Sequence, residues 1–162
     1  MEKFNVLPLG QNPVQNYLND RMQLGEVLEQ ILQQTGPADI VVSTFSTAEE
    51  FLTKVHRLRS KGLISSAILY TDHKAAEKTA KILTMVRNVF DEVYFVRNHS
   101  KIMIIKGYAY NVVVLTSQNQ TRGNRLESYT IFADNCYLSD IEGVLEQLPK
   151  YELPWTQNTT TI

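Results

Sequence analysis

The chain has a single cysteine, Cys136, among its 162 residues. One thiol cannot close an internal disulfide, form a CxxC redox pair or supply a multi-thiolate zinc site. Long apolar runs are also missing. No window reaches the ~18 apolar residues of a membrane span, and the start, MEKFNVLPLGQNP, lacks the apolar stretch of a secretory signal. A cytoplasmic location and no membrane partner are expected. Internal repeats and Gly/Ser-rich linkers are absent too, so residues 1–162 read as one domain. Apolar residues make up 43% and charged residues 20%, a composition that excludes disorder over most of the chain.

Net charge is nearly absent, at −1, but the total hides a gradient. Residues 53–106 carry eleven basic and four acidic side chains, while both flanking segments are acidic. A basic centre suits a polyanion such as nucleic acid, although solvated helix faces give the same pattern.

Hydrophobic spacing predicts alternating helices and strands. Asn19 or Asp20 can cap a helix with Leu24, Val27, Leu28, Ile31 and Leu32 on one face, ended by Gly36-Pro37. Residues 1–37 therefore read as a helical lead-in. Residues 39–43 are short and β-branched, hence a strand. Ser46 and Glu49 have capping-box spacing ahead of a helix with Phe51, Leu52, Val55 and Leu58 inward. A strand at 63–70, a helix capped by Asp72 and a strand at 92–96 follow. Segments 101–105 and 110–115 flank a turn near Lys106-Gly107, which signals an antiparallel hairpin. A strand at 127–133 precedes a second capping-box spacing, Ser139 and Glu142, at the start of a last helix. Residues 150–162 read as a tail. The expected class is α/β.

Chemistry concentrates at 97–128. His99-Ser100-Lys101 is followed by Thr116-Ser117-Gln118-Asn119 and then by Glu127. In extended chain His99 and Lys101 would share a face, as would Ser117 and Asn119. An imidazole can attack phosphorus and become a phosphohistidine. Lysine and asparagine can hold the non-bridging oxygens as charge builds. A carboxylate on the other imidazole nitrogen would fix the tautomer. None of these steps requires a metal or another cofactor. Arg122 and Arg125 lie between Asn119 and Glu127, where they could bind phosphate, and Ser46 could line the pocket from the end of the first strand.

This pattern resembles the phospholipase D superfamily, whose signature is HxK(x)4D followed by a GSxN-like element and a downstream glutamate. The resemblance spans about residues 38–150, and it is closest to the small single-motif bacterial phosphodiesterases and nucleases. It implies a mixed β-sheet flanked by helices on both faces. Two positions depart from the signature: Lys106 stands where the motif aspartate falls, and Thr116 replaces the glycine. Strand parity turns position 106 away from His99 and Lys101, or leaves it in the turn.

The family mechanism uses two histidines, one to attack and one to protonate the leaving oxygen. The other two histidines here, His56 and His73, open no second HxK motif and sit in polar helical runs, expected to be solvated. A homodimer with the site across its axis would supply the second copy of His99. The residues leave three readings open: a metal-independent phosphodiesterase, a nuclease by its basic centre; a catalytically degenerate module that binds nucleic acid or a protein partner; and an unrelated α/β ligand-binding domain with an accidental HxK.

Overall fold

A computed structural model describes residues 4–120, 125–133 and 135–153. Seven strands form one mixed sheet: β1 (Val14–Asn19), β2 (Ala38–Thr44), β3 (Ile64–Asp72), β4 (Glu92–Val96), β5 (Ile102–Gly107), β6 (Asn111–Thr116) and β7 (Glu127–Phe132). Their spatial order is β1-β7-β6-β5-β2-β3-β4. β2, β3 and β4 run parallel, and β5, β6, β7 and β1 pair antiparallel in succession beside β2. Among the described residues five α-helices form: α1 (Leu24–Thr35), α2 (Glu49–Ser60), α3 (Ala76–Lys81), α4 (Leu83–Val89) and α5 (Asn135–Gln147).

The apolar stripes read from the sequence drive the packing. In α1, Val27, Leu28, Ile31 and Leu32 are all fully buried. They join Leu52, Val55 and Leu58 of α2, Val86 and Val89 of α4, and Ile40, Val42, Met103, Ile105, Val112 and Val114 of the sheet. Each buried aliphatic side chain contributes about 1.5–3 kcal/mol relative to its exposed state. The intervening strand residues, Val41, Ile104 and Val113, enter a second cluster with Leu138 and Leu145 of α5. Alternation along each strand thus sends successive side chains to different clusters.

Two glycines end helices in the left-handed region. Gly36 has φ 75° and its N–H donates to the Leu32 carbonyl at 3.0 Å, while Gly62 after α2 has φ 73°. Gly107 is required for space. A Cβ there would come within 2.5 Å of Thr35 Cβ, where the β5–β6 hairpin meets the end of α1. That hairpin is antiparallel, as the sequence implied.

Several local readings are corrected. The lead-in is not wholly helical, because Val14–Asn19 forms edge strand β1 against β7. Asn19 Oδ1 accepts from the N–H groups of Arg21 and Met22, but α1 starts only at Leu24, whose N–H is taken by Gln118 Oε1 at 3.1 Å. Ser46 caps nothing: α2 follows Ala48, whose side chain makes no cap bond, and the Ser46 carbonyl accepts from Thr44 Oγ1. Ser139 and Glu142 fall inside α5, not at its start. Asp72 does cap, accepting from the Lys74 N–H at 2.7 Å, but over a short 3₁₀ turn that leads into α3. The helix expected after it breaks at Ile82 into α3 and α4. The start of the tail is tied back, with the Tyr151 N–H donating to the Phe95 carbonyl at 2.7 Å. Among the described residues, no helix is long and apolar enough to cross a membrane.

Candidate phosphodiester site

The strand directions bring five segments to one end of the sheet. Ser43 of β2 pairs with Ile102 of β5, Ile102 with Leu115 of β6, and Thr116 with Tyr129 of β7. The chain leaving β2, β4 and β6 and the chain entering β5 and β7 therefore meet there. Crevices beyond the carboxyl ends of parallel strands are common ligand sites in α/β sheets.

His99 sits in the turn between β4 and β5. It is not on a strand, since β5 begins at Ile102, so the shared face expected from extended chain does not form. His99 and Lys101 nevertheless meet. Lys101 Nζ lies 3.4 Å from His99 Nδ1 and donates to the His99 carbonyl at 2.8 Å. The His99 ring is exposed and tilts against Phe45, with centroids 5.6 Å apart. An ammonium can only donate, so a hydrogen bond at this contact requires the tautomer whose ring proton is on Nε2.

Beside this turn, the Thr116 N–H donates to the Lys101 carbonyl at 3.0 Å, which joins the end of β6 to the His99 segment. Ser117 Oγ hydrogen-bonds the Glu127 carboxylate and accepts from the Ser128 N–H at 3.0 Å. The carboxylate expected on the imidazole is thus engaged by a serine hydroxyl. β6 ends at Thr116, so Ser117 and Asn119 do not continue one extended face. Asn119 instead lines a separate cleft of about 270 Å³ with Gln118, Gln120, the start of α1 and one side of α2. Its Oδ1 is buried without a hydrogen-bond partner.

The remaining candidates divide. Ser46 is buried, at 7% exposure, and is not part of that cleft. Arg125 is exposed on the chain leading into β7. Arg122 lies outside the described residues. Lys106 points to the α5 cluster and pairs with Glu142 at 2.5 Å, away from the His99 turn. His56 is exposed on α2. His73 is not simply solvated: it stacks on Tyr151 with ring centroids 4.4 Å apart, and its Nδ1 is 3.3 Å from the Val96 carbonyl.

Charge pairing changes the meaning of the basic centre. Lys54, Arg57 and Lys61 converge on Glu29, Arg59 pairs with Asp91, and Lys106 with Glu142. The Lys54 hydrogen bond holds the Glu29 carboxyl below its ordinary range, against burial. Arg59 does the same for Asp91. These cations stabilise the fold. Lys74 and Arg97, at the site end of β3 and β4, are exposed.

Residues that the sequence reading passed over complete the support. Gln118 Oε1 accepts from the Leu24 N–H and from Tyr129 Oη, the latter at 2.6 Å, locking β7 and the 117–120 segment to the start of α1. Burial pushes the Tyr129 hydroxyl pKa up. Asn98, 7% exposed, bonds the ends of β2 and β3. Its position next to His99 was the only signal in the sequence.

No family model matches the chain, and no curated protein matches it. Solved structures do. A polyphosphate kinase from Porphyromonas gingivalis superposes with TM-score 0.55 and 12% identity, over 83% of this chain and 22% of that one. The archaeal chromatin protein TrmBL2, whose structure is described as showing a novel mode of DNA binding, gives TM-score 0.55 and 9% identity, over 85% of this chain and 54% of that one. Phosphatidylserine synthase from Haemophilus influenzae Rd KW20 gives 0.51 and 15%, over 85% and 39%. This chain thus spans between about a fifth and about half of those proteins. The kinase and the synthase are phospholipase D superfamily members. At these identities the likeness concerns the fold, and the fold of this chain is similar to that of phospholipase D superfamily enzymes.

Proposed function

We propose that the chain is a metal-independent phosphodiesterase acting on nucleic acid, with His99 as nucleophile and a homodimer completing the site. The observation that carries this reading is the exposed His99 imidazole with the Lys101 ammonium 3.4 Å from Nδ1, at the carboxyl end of the parallel strands. The fold likeness supports it, as does an arrangement of helices on both faces of the sheet, for which the two apolar clusters speak.

The chemistry follows from the donor set. Attack from Nε2 needs the ring proton on Nδ1. Lys101 cannot accept it, so on substrate binding its ammonium leaves the ring for a non-bridging phosphate oxygen. Nδ1–H then needs a carboxylate, and Glu127 supplies it by exchanging Ser117 for the imidazole. The bond from Nε2 to phosphorus forms as the bond from phosphorus to the leaving oxygen breaks. The His99 of a second copy donates the proton to that oxygen, then removes one from the water that hydrolyses the phosphohistidine. Lys74, Arg97 and Arg125 add positive charge for the polyanion's backbone.

A second reading has its own support: a catalytically degenerate module that binds nucleic acid. Glu127 is engaged by Ser117, the motif aspartate is replaced by an ion-paired lysine, and a structural neighbour is described as binding DNA. Purified protein is to be tested on DNA, RNA and a chromogenic phosphodiester with excess chelator. Hydrolysis that survives chelation and is lost in His99→Ala is expected. Tight nucleic-acid binding with no turnover would favour the second reading, and neither binding nor turnover would sink both.

A further inference from the structure

The turn that carries His99 is fastened through one buried amide. The Asn98 N–H donates to Asp72 Oδ2 at 2.7 Å, while Asp72 Oδ1 accepts from the Lys74 N–H. Asn98 Nδ2 donates to Ser43 Oγ at 2.8 Å, with the carbonyls of Thr44 and Tyr70 at 3.3 and 3.4 Å. Asn98 Oδ1 accepts from the Ser100 N–H at 2.8 Å and from Ser100 Oγ at 2.6 Å. Ser43 Oγ and Ser100 Oγ are 2.7 Å apart.

These bonds have one consistent assignment. Asn98 Nδ2 donates to Ser43 Oγ, Ser43 donates to Ser100 Oγ, and Ser100 donates back to Asn98 Oδ1. Each hydroxyl then donates once and accepts once. A flipped amide would set Nδ2 against the Ser100 N–H, two donors facing each other, so the main chain fixes its orientation. Aspartate at this place would turn a carboxylate oxygen toward two carbonyls and a hydroxyl. Only an amide satisfies every partner.

The bond from the Ser100 N–H to Asn98 Oδ1 is an Asx turn, and His99 is its apex residue. Both sequence neighbours of His99 are held by the same amide, which is itself bound to the ends of β2 and β3. The His99 Cα is therefore fixed, and its side chain has only the outward direction, toward Phe45 and Lys101.

We propose that Asn98 is a positioning residue, supported by Ser43, Ser100 and Asp72, that aims the His99 imidazole at the phosphorus. This rests on the phosphodiesterase reading above, and it adds residues outside the HxK pattern to that site. A misplacement of about 1 Å at a reacting group can lower a rate by about 100-fold. Asn98→Ala is expected to lower kcat by about that factor, with KM changed less than about twofold. Ser43→Ala and Ser100→Ala each remove one link and retain the amide. Both are expected to fold, with kcat lowered about 3- to 10-fold, and they decide the matter if Asn98→Ala does not fold. Asn98→Asp is expected not to rescue.

A readout without turnover separates this proposal from the phosphodiesterase reading. In spectra of ¹⁵N-histidine-labelled protein, His99 is expected to give one sharp set of ring signals in the wild type and a broadened or doubled set in the three variants, with His56 unchanged. A wild type that hydrolyses no diester but shows this change would fail the catalytic reading and keep the positioning role of Asn98. Folded variants with kcat within twofold of wild type and an unaltered His99 spectrum would overturn the proposal.

Discussion

Lys106→Asp restores the residue type of the motif and, in this chain, sets a carboxylate beside Glu142. The wild-type pair has an N–O distance of 2.5 Å, with side-chain exposures of 37% for Lys106 and 22% for Glu142. A partly exposed pair of this kind is screened, and its loss costs about 1 kcal/mol. Two carboxylates in the same place add repulsion of about 0.5 kcal/mol after solvent screening. The sum, about 1.5 kcal/mol, corresponds to a fall in Tm of about 3–6 °C for a chain of this size. Thermal melts followed by circular dichroism at low salt check it, and 0.5 M NaCl should shrink the difference. Lys106→Asp/Glu142→Lys should recover most of the loss, with a coupling energy of about 2.5–3 kcal/mol in the double-mutant cycle, since each single reversal alone costs about 1.5 kcal/mol. Activity per folded molecule should stay within about twofold, because Lys106 faces α5 and not the His99 turn. An unchanged Tm would refute the ion-pair reasoning. A rate gain of tenfold or more would refute the claim that position 106 acts only on the fold.

Other expectations follow from the same geometry. Tyr129→Phe removes a buried hydroxyl shared between Gln118 Oε1 and the Met22 carbonyl, and should lower stability by about 1–2 kcal/mol in urea denaturation. A loss below about 0.3 kcal/mol would show that this lock does not bear on stability. The depressed carboxyls of Glu29 and Asp91 favour the folded state above their ordinary values of 4.5 and 3.8, and that stability is lost as pH falls through their lower folded values. Stability should therefore hold from neutral pH to about 5 and then drop, and Glu29→Gln should make the drop shallower. A drop of equal steepness in the variant would contradict the role given to the Lys54 bond.

Most helices were legible because their apolar residues recur at helical spacing, and the mixed sheet because a hairpin signal follows the alternating half. β1 was not legible. Its one buried side chain is Gln15, which bonds the main chain of Leu7 and Asn12, so no apolar alternation marks the strand. The two capping boxes misled for different reasons. The segment before α2 is used instead to reach the site end, where Thr47 bridges Gln120, and Glu142, inside α5, pairs with Lys106 on the sheet face that α5 covers. In the candidate site, the proximity of His99 and Lys101 was readable from their spacing, although the turn that produces it was not. Asp72 was readable as a cap, but its second oxygen binds Asn98 only because β4 pairs with β3, placing Val96 opposite Asp72. The engagement of Glu127 by Ser117 likewise depends on how β6 pairs with β7.

The most direct measurement is a search for the covalent intermediate. Protein mixed with a labelled phosphodiester in excess chelator is quenched in alkali, where a phosphorus–nitrogen bond survives, and the modified peptide is sequenced by mass spectrometry. The expected result is a substrate-derived phosphoryl group on His99, absent from His99→Ala, which should also fail to turn over. Turnover with no adduct on His99, or turnover undiminished in His99→Ala, would contradict a phosphohistidine mechanism at this site.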